Sequence, residues 1–180
     1  MLEPLAPISI RTLQPEEVSS RISELSDLLL DCVEGGASVS FMAPMARETA
    51  EGFWRGVAGR ARDGAVVVLV AETDGVVVGT AQLVTGLPEN QPHRADVAKV
   101  LVHRRARNRG VAQRLMEAVE AEARGLGRTL LVLDTVPDTP AYRLYRRLGW
   151  QEVGRVPGFA LWPDGRVCDT AFFFKTLARA

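Results

Sequence analysis

Apolar and polar positions change period several times along the chain, and each change marks an element. Residues 9–13 alternate polar with apolar, the period-two pattern of a strand with one buried face. Pro15 opens a helix, because proline lacks only a donor that the first turn leaves unpaired. Val18, Ile22, Leu25, Leu28 and Leu29 then recur at helical spacing as far as Glu34-Gly35-Gly36. A loop leads to Pro44, where a second helix is expected, with Thr49, Phe53, Val57 and Ala61 on one face and Asp63-Gly64 as its stop. Residues 65–73 and 76–85 are β-branched runs joined by Asp74-Gly75, a strong hairpin signal. After a polar loop at 86–92, residues 95–102 read as a strand and 111–126 as a helix carrying Val111, Leu115, Ala118 and Val119 on one side. Residues 129–133 form a short apolar strand suited to the middle of a sheet. Residues 140–148 form a short helix stopped by Gly149, and 150–156 and 167–176 are the last strands, joined by a turn around Pro163-Asp164-Gly165. The order is β-α-α-β-β-β-α-β-α-β-β. Antiparallel hairpins beside one strand–helix–strand crossover predict an α/β chain with a mixed sheet.

Composition narrows the function classes. The 180 residues hold no repeat, low-complexity tract or linker, so one domain over 1–180 is expected. Net charge is zero, which argues against nucleic acid or an anionic membrane surface as the general partner. No run approaches the ~20 apolar residues of a membrane span. The first ten residues, MLEPLAPISI, lack the basic region and long apolar core of a secretory leader. A cytoplasmic location is therefore expected. Cys32 and Cys168 stand near no metal-ligand pattern, so two reduced thiols and no metal are expected.

The chemistry concentrates in residues 99–112, where an apolar strand passes through a basic turn directly into a helix. A helix N-terminus offers unpaired amide donors and a partial positive charge. Gly110, and small Ala112 one step on, allow close backbone approach, and Arg104, Arg105, Arg107 and Arg109 add charge. Together they suit a pyrophosphate. A Walker-type loop does not fit, because no Gly-Lys-Ser/Thr follows. A nucleic-acid patch would use the same arginines but would want interleaved aromatic residues, which are absent.

Arg107-Asn108-Arg109-Gly110-Val111-Ala112 resembles the Arg/Gln-x-x-Gly-x-Gly/Ala signature of the GNAT superfamily of N-acetyltransferases. Pro140-Ala-Tyr-Arg-Leu-Tyr-Arg-Arg-Leu-Gly-Trp150 resembles that family's Ala-x-x-Leu-Tyr-x-x-Leu-Gly-Phe segment. The resemblance implies a mixed, mostly antiparallel sheet of six to seven strands flanked by about four helices. Its fourth and fifth strands would splay to admit the pantetheine arm of acetyl-CoA. Residues 107–112, with Arg105, would then bind the cofactor pyrophosphate. Val100, Leu101 and Val102 would run along the cofactor, the Val100 amide as oxyanion donor and the Val102 backbone on the pantetheine. Tyr142 and Asp138 fall among the cofactor positions, although many members carry asparagine where Asp138 stands.

The resemblance also makes Tyr145 the acid that protonates the departing CoA thiolate. A thiol titrates near 8.5 and a phenol at about 10, so a placed phenol can share its proton with sulfur. The alternative role for Tyr145 is packing on the sheet. Asp96 is the preferred base for the acceptor amine and His93 the alternative. Asp96 paired with a neighbouring arginine and His93 in a solvated loop are the structural alternatives. His103 is expected to be exposed. The loop 34–44 would cover the acceptor, with Trp162 as a further lining candidate. That loop and residues 92–99 resemble the tabtoxin-resistance acetyltransferases, which act on a small amino-acid-like amine. The implied function is acetyl transfer from acetyl-CoA to a small amine, antibiotic-like in one version, by a chain for which a homodimer is allowed. The alternatives are a protein or peptide N-acetyltransferase and a CoA-binding module without turnover.

Overall fold

The computed structural model describes residues 7–178. The leader-peptide expectation falls largely on residues 1–6, outside the described residues. In chain order the elements are β1 (Ser9–Thr12), α1 (Pro15–Ser20), α2 (Ile22–Glu34), α3 (Arg47–Arg62), β2 (Val66–Thr73), β3 (Val76–Val84), β4 (Arg94–Val102), α4 (Val111–Gly125), β5 (Leu130–Thr135), α5 (Pro140–Arg147), β6 (Gln151–Leu161) and β7 (Val167–Thr176), with a 3-10 turn at Arg104–Ala106. The seven strands form one sheet in the order β1-β2-β3-β4-β5-β7-β6. Every pairing is antiparallel except β4 with β5.

Two apolar cores lie on the two faces of this sheet. Leu115, Met116 and Val119 of α4 and Tyr145 of α5 pack with Leu83, Val97, Leu131 and Phe173 on one face. On the other, Leu25 and Leu29 of α2 and Trp54 and Val57 of α3 pack with Val68, Val70 and Leu101. Alternation along each strand feeds both faces at once, which is why the central strands read as nearly continuous apolar runs.

Five α-helices stand among the described residues where about four were expected, because the first predicted helix is two. The break falls at Arg21, whose backbone leaves helical geometry (φ −108°, ψ 15°). Its guanidinium donates to Glu72, Glu24 and the carbonyl of Gly75, anchoring the bend to β2 and its hairpin. Val18, Ile22, Leu25 and Leu29 keep helical spacing across the break, so the apolar pattern carries no sign of it. The second predicted helix starts at Arg47 rather than Pro44, which instead follows a cis peptide bond in the preceding loop. β6 is longer than predicted because two register shifts, at Val153 and at Pro157-Gly158-Phe159, let it stay paired with β7, and an edge strand tolerates proline.

β4 and β5 pair only over Arg94–Leu130, Ala95–Leu131 and Asp96–Val132. Beyond that point β4 continues six residues to Val102 and β5 three to Thr135 without pairing, so the strands part as expected. Among the described residues no helix is long and apolar enough to cross a membrane.

Candidate active site

The gap between β4 and β5 is bounded at one end by the turn into α4. Asn108 and Gly110 both have left-handed φ (60° and 73°), and Gly110 is the helix N-cap. No side chain caps the helix, and its first turn contains no acid. The first intrahelical bond runs from the Arg114 amide to the Gly110 carbonyl, leaving the amides of Val111, Ala112 and Gln113 without a helical acceptor. A Cβ on Gly110 would meet no protein atom within 4 Å. Glycine is therefore required by the backbone angle, and the space above the amides is open. This donor set fits a pyrophosphate by helix-terminus chemistry.

The arginines of the turn divide. Arg104 donates to Asp31 at 2.8 Å and lies 3.7 Å from Glu34, so its charge is neutralised by α2. Arg105 and Arg109 are exposed, as is Arg107, whose Nε donates to the Val102 carbonyl at 3.3 Å. His103 is half-buried rather than exposed. Its Nδ1 accepts from the Arg105 amide, and burial is the main cause holding its pKa below the ordinary value.

At the centre of the gap β4 is irregular. Thr80 faces Leu101 and Gln82 faces Ala98, so Lys99 and Val100 together oppose Ala81. This is a β-bulge, and Lys99 takes a left-handed φ of 49° to form it. Val100 and Val102 pack toward the α4 side, whereas Leu101 is buried in the α2–α3 core. Val100 thus sits where the ladder to β3 is interrupted, a suitable place for an amide to serve a ligand rather than a strand.

Tyr145 is 5% exposed and packs against Trp150 and Phe173. Its hydroxyl makes no hydrogen bond with the described residues, and burial, with Asp134 adding to it, holds the phenol pKa above its ordinary range. Asp96 is half-buried. Arg94 donates to it at 2.8 Å, yet burial, assisted by Asp134, still raises its pKa. Asp134 accepts from the Thr170 hydroxyl at 2.9 Å and shifts Asp96, Lys99 and Tyr145 alike. Asp134 thus sits close enough to act on all three. Sequence reasoning did not single it out. Its position two residues past Val132, on the face that Asp96 shares, follows only from the β4–β5 register.

The remaining predicted positions scatter. His93 is exposed at the closed end of the gap, where its carbonyl accepts from the amides of Thr129 and Leu130. Tyr142 is buried, donates to Glu152 at 2.5 Å and accepts from Arg155, so its hydroxyl is committed toward β6. Asp138 is exposed, 3.6 Å from Arg155. Trp162 is half-buried beyond β6. In the loop over the gap, Phe41 packs edge-on against Phe53 of α3, and Ser38, Ser40, Phe41, Met42, Ala160 and Leu161 line a cavity of about 280 Å³. Among the described residues no group of three His, Cys, Asp or Glu side chains is placed to hold a metal. Both cysteines are free and buried, with the Cys32 thiol pushed up to about 11 by burial.

Residues 23–150 match the model of the Acetyltransferase (GNAT) family. An uncharacterised N-acetyltransferase of Azospirillum brasilense, from the hisH–hisA intergenic region, is 36% identical over 146 residues, covering 78% of this chain and 84% of its own. Among solved structures, yncA of Salmonella typhimurium, described with its cofactor acetyl-CoA, superposes with a TM-score of 0.77 at 20% identity, covering 96% of this chain and 95% of its own. A ribosomal-protein-alanine N-acetyltransferase of Brucella melitensis gives a TM-score of 0.76 at 26% identity, covering 94% of this chain and 99% of its own.

Proposed function

The chain belongs to the Acetyltransferase (GNAT) family, and from that premise we propose that it transfers an acetyl group from acetyl-CoA to the amine of a small molecule. One observation carries the reading. The parted strands set an uncapped helix N-terminus at one end of a gap and Asp96 on the last paired rung at the other, with Asp134 and the Tyr145 phenol close by. The α4 amides, with Arg105, Arg107 and Arg109 nearby, bind the pyrophosphate, and acetyl-CoA supplies the thioester. Asp134 or Asp96 takes the proton of the acceptor ammonium. The freed nitrogen attacks the thioester carbonyl while the Val100 amide donates to the developing oxyanion. As the carbon–sulfur bond breaks, Tyr145 gives its proton to the thiolate, and the second proton that the nitrogen loses in becoming an amide returns the phenolate to a phenol. A phenol held above its ordinary pKa stays protonated at neutral pH and is therefore available as the acid.

Asp134 joins Asp96 as a candidate base because the two carboxylates stand on one face of the parted strands, and burial, assisted by Asp134, raises the Asp96 pKa. The small-amine acceptor, tabtoxin-like in the narrower version, is supported by the modest cavity beneath the 34–44 loop and by the likeness of that loop and residues 92–99 to the tabtoxin-resistance enzymes. A protein N-terminus is the second reading, favoured by the similarity to the Brucella melitensis enzyme. Thiol release from acetyl-CoA, followed by mass spectrometry of mixtures containing small amines or protein extract, separates them. Acetylated small amines are the expected product. Labelled protein without any small product would replace the first reading with the second, and no thiol release at all would leave a binding module.

A further inference from the structure

The chain carries 22 positively charged side chains, and only two of them are lysines, Lys99 and Lys175. The distinction matters beside a thioester. A guanidinium stays protonated and offers no electron pair, whereas an amine that has lost its proton is a nucleophile. Lys175 is tied down, because its ammonium donates to Glu120 and to the Leu148 carbonyl, each at 2.7 Å. Lys99 is held more loosely. It donates to Ser40 Oγ at 3.1 Å and stands 5.9 Å and 5.7 Å from the ring centroids of Phe41 and Phe53. No carboxylate of the described residues lies within ion-pair distance of it.

Lys99 also stands at a special place on β4. It takes the left-handed φ of the bulge, and the peptide bond that follows it carries the Val100 amide, the donor proposed for the oxyanion. A thioester carbonyl resting on that amide lies within the sweep of the four-carbon stem of the preceding residue. Asp134 acts on Lys99 as it does on Asp96 and the Tyr145 phenol, so the amine shares a neighbourhood with the groups proposed to take and give the protons of the transfer. Burial holds the Lys99 pKa below the ordinary lysine value, with Asp134 opposing the fall, which enlarges the share of free amine. The chain thus keeps an amine of its own where the amine of an acceptor has to arrive.

We propose that Lys99 Nζ is a self-acetylation site, which takes the acetyl group of acetyl-CoA bound to the same chain when no acceptor stands between them. The inference rests on the acetyl-CoA reading of the gap. The Lys99 ammonium gives one proton to Asp134 or Asp96, which passes it to solvent. The freed electron pair forms a bond to the thioester carbonyl carbon, and the carbon–sulfur bond breaks. Sulfur leaves as the thiol with the Tyr145 proton, and the second proton lost by the nitrogen restores the phenol. The products are Nε-acetyl-lysine and free CoA. The new amide keeps one N–H for Ser40 and carries no charge. Its acetyl group enters the space beside Ser40 and Phe41, which line the cavity of about 280 Å³, so a modified chain has less room for an acceptor.

The test incubates the full chain with acetyl-CoA and no added amine, then follows intact mass and locates the modification by peptide mass spectrometry. One acetyl group per chain, on Lys99, is the expected result. Its rate should saturate with acetyl-CoA and stay unchanged when the protein is diluted. It should exceed the rate on the same chain unfolded in urea by about 100-fold or more, the advantage of a nucleophile held beside its target. Lys99→Arg, which keeps the charge, should gain no acetyl group, and the parent alone decides the matter if that variant does not fold. An acetyl group on Lys175 or the N-terminal amine instead, a rate no faster than that of the unfolded chain, or a rate that falls on dilution would overturn the assignment. Parallel mixtures with small amines and with protein extract show which claim has failed. An acetylated amine or protein beside an unmodified Lys99 removes self-acetylation and leaves the transferase reading standing. No acetyl transfer to any amine removes both.

Discussion

Tyr145 combines two properties that single residues seldom hold together. Its ring is packed into the core against Trp150 and Phe173, while its hydroxyl bonds to none of the described residues. Tyr145→Phe keeps the packing and removes only the hydroxyl proposed as the acid. Turnover should fall about 100- to 10,000-fold, with stabilisation by acetyl-CoA retained, as steady-state kinetics and thermal melts on one preparation can show. Equal turnover in the variant would make the residue purely structural. Tyr145 was legible in the sequence because a short motif fixes its place in a helix. Asp134 and Lys99 were not, because their roles depend on which strand lies opposite and on a bulge that turns one residue. Asp96 was legible as a candidate base at the start of a strand, and the structure adds the ion pair to Arg94 weighed against that role.

At the scale of elements, the turn into α4 shows how local sequence and backbone geometry agree. Gly110 must adopt a left-handed φ of 73°, which a β-branched residue resists, and its amide neighbours face open space. At acetyl-CoA about 100-fold above its dissociation constant, linkage stabilises the folded chain by about 2.7 kcal/mol. For a chain of this size that raises Tm by roughly 5–10 °C. Gly110→Val should melt somewhat lower than the parent and show no such rise, read by differential scanning fluorimetry with and without acetyl-CoA. A full rise in a folded variant would move the cofactor elsewhere. The turn was readable because glycine, arginine and helix start all lie within six residues. The α1–α2 break was not, because Arg21 bends the chain through bonds to β2 that local pattern does not contain.

Over the whole molecule, Glu72 gathers β1, α1, α2 and β2. It accepts from Arg11 of β1 and from Arg21, which also holds Glu24, while Arg11 holds Glu17. Burial alone would raise the Glu72 pKa, but the two arginines outweigh it and hold the carboxylate below its ordinary 4.5. A depressed folded pKa contributes stability that is complete above 4.5 and is lost as pH falls through the folded value. Glu72→Gln should therefore destabilise the chain at neutral pH, by on the order of 2 kcal/mol, and flatten the loss of stability in acid. Urea melts from pH 3 to pH 7 measure both, and parallel curves for parent and variant would refute the assignment. The order of strands and the two-faced sheet were readable from periodicity and resemblance together, whereas this network joins residues up to 61 positions apart.

The three-residue pairing of β4 with β5 also has a mechanical consequence. It makes the sheet two plates, β1 to β4 and β5 with β7 and β6, joined by a short seam and strapped by α4. On the proposed function, a ligand lying in the opening would bond to both plates and take the role of the missing rungs. The chain would then be stiffest when loaded, and each departure of product would loosen the same joint that the next substrate must close.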